Sequence, residues 1–172
     1  MGDGTMRILG IDPGTQIAGY GIIETDGHDV RALDYGVVRT ADRPLPERLR
    51  VIYEGLQAII TRFQPDVVAV EGAFFGKNVR SALKIGEGRG VALLAAASRG
   101  IEVAEYAPAE VKKAVVGSGR AHKSQVQQMV RLILALRDPP SPEDAADALA
   151  IAICHFHRLP PGRAETAIPD PT

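Results

Sequence analysis

Apolar residues recur with two different periods along the chain, and each change of period marks an element. Arg7 to Ile11 is a short β-rich run that stops at Asp12-Pro13-Gly14-Thr15, a strong turn signal. Ile17 to Glu24 and Val30 to Thr40 read as two further strands, with Thr25-Asp26-Gly27-His28 as the hairpin turn between them. From Glu47 to Phe63 the spacing lengthens. Leu49, Ile52, Leu56, Ile59, Ile60 and Phe63 fall three or four apart, which predicts an amphipathic helix that Pro65 ends. Asp66 to Glu71 reads as a buried strand, Val-Val-Ala-Val, with an acid at its far end. A long helix over Val79 to Arg99 and a fifth strand over Ile101 to Tyr106 follow. Helices over Ala109 to Val116, Ser124 to Leu136 and Glu143 to His157 complete the pattern, with Pro139, Pro140 and Pro142 before the last.

Three consecutive antiparallel strands, then strands joined through helices, predict an α/β fold with a mixed sheet and helices on both faces. Ligand sites in such sheets lie beyond the strand ends. The chain of 172 residues has one domain's length. Residues 1–5 read as an extension, 6–159 as one domain, and 160–172 as a polar, disordered tail. Gly86, Gly88 and Gly90 stand in the middle of the 79–99 helix, each costing about 1 kcal/mol relative to alanine. Close backbone approach to another surface would account for them.

A single cysteine, Cys154, forbids an intrachain disulfide and suits a reducing compartment. Runs such as Val91 to Ala97 fall far short of the roughly 20 apolar residues of a membrane span. A cytoplasmic protein is expected. The formal net charge of -1 predicts no polyanion partner, but it hides an asymmetry. Lys77 to Arg137 holds eleven basic residues against four acids, a balance of +7, and the remainder holds nine against seventeen, or -8. That segment, with Lys77, Arg80, Lys112 and Lys123, reads as an ordinary solvated surface or as a phosphate-binding face.

Asp12 closes the first strand and Glu71 the fourth; Asp144 and Asp147 lie three apart on one face of the last helix. Asp12 could simply start the Asp-Pro-Gly turn, and Asp144 could complete a capping box with Ser141 as N-cap. Asp147 has no such explanation, because Ala145, Ala146, Ala148, Leu149 and Ile151 around it are apolar. Carboxylates gathered at strand ends repel unless cations neutralise them. Oxygen-only ligation suits Mg²⁺ or Mn²⁺, and two such ions about 3.5–4 Å apart can drive phosphodiester hydrolysis. Acids for metal beside a basic face for a polyanion point to a metal-dependent nuclease. Nucleophilic readings are weaker: Cys154 lies in an apolar helix, and His155 and His157 fit helix capping. Phe74 and Phe75, in the glycine-bracketed loop after Glu71, can supply one ring to an unpaired base.

The stretches Ile8 to Thr15 with Gly19-Tyr20-Gly21, Glu71 with Phe74 and Asn78, Ser81 to Lys84, Arg89 to Ala92, Val111-Lys112, Val115 to Gly117, Lys123 to Val126 and Asp144 to Ala150 form an ordered set. In that set the chain resembles the RuvC family of bacterial Holliday-junction resolvases, of the RNase H-like superfamily. The resemblance implies a three-layer fold with a five-stranded mixed sheet. It implies an endonuclease of homologous recombination and DNA repair: a Mg²⁺-dependent homodimer that resolves four-way DNA junctions by paired symmetric nicks. Asp12, Glu71, Asp144 and Asp147 would be its catalytic, metal-binding acids, Phe74 its stacking aromatic, and Lys112 and Lys123 its functional lysines. Branch-migration proteins RuvA and RuvB would be its partners. The 79–99 helix is the expected dimer interface, where a charge at Ala92 should give a folded monomer. Asp12 to Thr15 also resembles the phosphate loop of actin-like ATPases and sugar kinases, whose nucleotide lies between two domains. A non-catalytic DNA-binding module on the same fold is the third reading.

Overall fold

A computed structural model describes residues 4–72 and 78–160. Five strands, β1 (Met6–Asp12), β2 (Ile17–Thr25), β3 (Val30–Arg39), β4 (Val67–Glu71) and β5 (Glu102–Tyr106), form one sheet in the order β3-β2-β1-β4-β5. β1, β2 and β3 pair antiparallel, whereas β1, β4 and β5 run parallel. Helices α1 (Leu45–Phe63) and α2 (Val79–Ala97) cover one face. The other face carries α3 (Pro108–Val116), α4 (Lys123–Ile133) and α5 (Glu143–Arg158). This is the mixed three-layer architecture the residue pattern predicts.

The pleat explains how the layers sort. Leu9, Ile11, Val68 and Val70 point into the α1/α2 core, while Ile8, Val67 and Ala69 point into the α5 core. β1 and β4 are buried on both sides over most of their length and therefore read as continuous apolar runs.

α5 is the helix that presses hardest on the sheet. Ala145, Ala146 and every residue from Ala148 to Cys154 are buried, because the sheet lies on one side and α3 and α4 on the other. Gly10 and Gly19 make that approach possible. A Cβ on Gly10 would overlap the Ala148 carbonyl oxygen, and one on Gly19 would overlap that of Asp144. These two strand glycines set the depth at which α5 crosses β1 and β2.

Three expectations need correction. The helix expected to reach Leu136 stops at Ile133, with Ala135 left-handed at φ 50°. Leu134 and Leu136 continue the apolar spacing because they fold back onto the same core after the turn. The capping box at Ser141 does not form: Pro142 is the N-cap of α5, no side chain caps the helix, and Asp144 is free of that duty. Ala92 is 0% exposed within the chain's own core, so a charge there tests folding and not an interface.

The α2 glycines divide into two kinds. Gly88 lies against the backbone of Gly14, where a Cβ would stand 2.9 Å from it, and this holds α2 to the loop after β1. Gly86 and Gly90 face open space, together with exposed Val79, Leu83 and Leu94. No helix among the described residues is long and apolar enough to cross a membrane.

Candidate active site

Ile11 and Val70 are the last paired residues of parallel neighbours β1 and β4, and one step further stand Asp12 and Glu71. Since Ile11 and Val70 point to the α1/α2 core, strand alternation turns both acids to the α5 face. The first turns of α5 bring Asp144 and Asp147 to the same end. All four carboxylates line one cavity of about 300 Å³, together with Lys112 of α3 and Lys123 at the start of α4. Pro108, Val111, Val126, Ala150 and Ile151 form its apolar wall.

The charges act on one another strongly. Burial first, then Asp147, Glu71 and Asp144, push the Asp12 carboxyl up from 3.8 to about 8, against the pull of Lys123. Burial and Asp147 raise Glu71, with Lys123 and Lys112 opposing. Burial also raises Asp147; Lys123 pulls it down, while Glu143 and Asp144 push it up. The ammonium of Lys123 stands 3.8 Å from Asp147 Oδ2 and 3.2 Å from Glu143 Oε1. Burial lowers the Lys123 pKa, but Asp147 and Glu143 outweigh it and raise it overall.

A partly dry pocket with several carboxylates and oxygen donors only is the environment a hard divalent cation fits. Burial and the neighbouring acids both disfavour the charge on Asp12, and a cation in the pocket would relieve that cost. Among the described residues, no three acid, histidine or cysteine side chains already converge tightly enough to clasp an ion. Ligation therefore requires side-chain rotation, with Asp147 giving up Lys123.

Of the other expected site residues, Arg80 is exposed in the first turn of α2, outside the cavity lining. Phe74, Phe75 and Lys77 lie outside the described residues. Cys154 is wholly buried, and its helix neighbours have structural partners. His155 Nδ1 meets the Tyr106 hydroxyl at 2.7 Å, and His157 Nδ1 donates to the Ala114 carbonyl at 2.9 Å. Both imidazoles tie α5 to β5 and α3, a more specific duty than capping. Glu143 lies outside the cavity lining and, among the described residues, touches the site only through Lys123, a contact that the sequence reading did not anticipate. Its spacing of four from Asp147 was the available signal.

The same sheet and helix arrangement recurs in the yeast mitochondrial Holliday junction resolvase Ydc2, at a TM-score of 0.61 and 17% identity over 88% of this chain and 79% of that one. The chain thus shares the fold of that protein. A family model for crossover junction endodeoxyribonuclease RuvC matches residues 8–155. RuvC of Chloroflexus aggregans is 58% identical over 156 residues, 90% of this chain and 95% of that protein. The structure of Thermus thermophilus RuvC in complex with Holliday junction substrate superposes at a TM-score of 0.82, with 41% identity over 87% and 92% of the two chains. The chain belongs to the RuvC family of crossover junction endodeoxyribonucleases. It is an endonuclease of a metal-dependent family.

Proposed function

We propose that this chain resolves four-way DNA junctions by paired, symmetric hydrolytic nicks, in homologous recombination and DNA repair. The observation that carries the reading is the convergence of Asp12, Glu71, Asp144 and Asp147 with Lys112 and Lys123 on one cavity at the strand ends. The junction-bound Thermus relative supports the substrate.

Asp12, Glu71, Asp144 and Asp147 would hold Mg²⁺, two ions per site, with Mn²⁺ able to substitute. Such ions supply charge that acidifies a water and stabilises the leaving oxygen. Asp12 and Glu71, fixed on neighbouring strands, give the rigid half of the cradle; Asp147 and Asp144 give the helical half. Lys112 and Lys123 sit at the rim, where they bind the substrate phosphate and balance charge that develops on it. Arg80, with Phe74 and Lys77 from the loop after β4, would extend the contact along the DNA, and the Phe74 ring would stack on an unpaired base. RuvA and RuvB are the proposed branch-migration partners, and the cytoplasm is the proposed location.

Neutralising Lys112 tests the basic rim. Lys112→Ala is expected to weaken junction binding and to make its salt dependence shallower by a slope of about one, read from affinities at several salt concentrations. Unchanged affinity and unchanged cleavage would remove Lys112 from the site.

The chain would act as a homodimer, because a four-way junction has approximate two-fold symmetry and resolution requires two opposed nicks. Support comes from α2, where Val79, Leu83 and Leu94 are 75%, 61% and 57% exposed beside the uncovered Gly86 and Gly90. Leu83→Glu is expected to give a folded monomer that nicks single strands without pairing the cuts. Sedimentation checks the mass and circular dichroism the fold; a variant that stays dimeric would place the interface elsewhere.

A further inference from the structure

Glu143 lies beside the cavity but outside its lining. It occupies the first helical position of α5, its side chain is half exposed, and it takes the shorter of the two contacts to Lys123. Lys123 thus stands between two carboxylates with opposite claims. Asp147 needs its oxygens free if it is to ligate a cation, while Lys123 needs to remain at the cavity mouth to meet a phosphate. An ammonium collapsed onto Asp147 would serve neither end, since it would compete with the cation for the same oxygens. Glu143 offers that ammonium another partner 3.2 Å away, on the same helix face as Asp147 and one turn earlier.

We propose that Glu143 is a positioning residue that draws the Lys123 ammonium aside from Asp147, leaving Asp147 open to the divalent cation and Lys123 poised for phosphate. The inference rests on reading Asp147 as a ligand and Lys123 as a phosphate contact. An acid in a first helical turn also interacts favourably with the helix N-terminus, and any carboxylate near the cavity attracts cations through space. Neither effect depends on Lys123. Dependence on Lys123 is what sets the proposal apart.

The test is a double-mutant cycle on Mn²⁺ affinity, measured calorimetrically on the full chain without DNA. Glu143→Gln is expected to weaken Mn²⁺ binding roughly five- to tenfold, within the usual range for contacting pairs. In a Lys123→Met background the same substitution should change affinity by less than about twofold. Glu143→Asp, which keeps the charge, should recover part of the loss. On junction DNA, Glu143→Gln should raise the Mn²⁺ concentration needed for half-maximal cleavage and leave the rate at saturating Mn²⁺ within about threefold. Equal weakening in both backgrounds would reduce Glu143 to a through-space charge and overturn the proposal. So would no weakening at all. Asp147→Asn separates the two layers: if it leaves Mn²⁺ affinity intact, the ligand reading itself has failed, and the proposal with it.

Discussion

Asp147→Asn is expected to abolish junction cleavage while the protein still folds and binds junction DNA. Asp147 is half-buried on α5 and faces the cavity with Asp12 and Glu71, and its charged partner among the described residues is Lys123. Asparagine keeps its size and polarity and removes one negative charge, so packing against the sheet is preserved. On the proposed reading of Asp147 as a cation ligand, the lost charge lowers the rate by about 10³-fold or more, the scale on which single catalytic charges act. Binding without added metal should hold or tighten, since one repulsion against phosphate has gone. Gel-shift and single-turnover cleavage on the same preparation give both numbers. Loss of binding in parallel with cleavage, from a folded variant, would assign Asp147 to DNA contact instead.

The second large effect is on stability, and it concerns Asp12. Its carboxyl titrates near 3.8 when unfolded and is pushed up to about 8 in the folded, cation-free protein. Between those two values the folded state binds more protons than the unfolded state. Stability from this group is therefore fully present below pH 3.8 and is lost as pH rises through about 8. Asp12→Asn cannot ionise and escapes the loss. In a chelator at pH 9 the variant should be more stable than the parent by on the order of a few kcal/mol, with the two converging at pH 4 to 5. Urea unfolding at three pH values reads the difference. A saturating divalent cation should restore the parent and leave the variant nearly unchanged. Parallel pH profiles would show that burial and the neighbouring acids do not hold the Asp12 carboxyl up.

Both expectations could be framed because much of this site is local in sequence. Alternation in the strands and three- and four-residue spacing in the helices placed all ten elements within a few residues. An acid at the end of a β-run, as at Asp12 and Glu71, or inside an apolar helix, as at Asp147, is conspicuous without any structure. Where the reading missed, tertiary packing had overridden a local pattern. Leu134 and Leu136 keep helical spacing beyond the true end of α4 because both return to the core. Ala92 looked like a surface position because α2 is apolar on several sides, yet the sheet takes one side and the exposed leucines lie on another. Gly10 and Gly19 carried the depth of the α5 crossing, which no periodicity expresses. Glu143 stands one residue before a candidate acid, but its partner Lys123 comes from a different helix, so no local pattern joins the two.

Four acids and two lysines on one cavity are expected to make this chain a cation-dependent junction resolvase. The most direct test incubates the wild-type chain with a synthetic four-way junction and with a duplex of the same sequence, with and without Mg²⁺, and maps the products on denaturing gels. Two symmetry-related nicks on opposed junction strands, dependent on Mg²⁺ and absent from the duplex, are the expected result. A junction that is bound but left uncut across Mg²⁺ and Mn²⁺ concentrations, or a duplex cut as readily as the junction, would contradict it.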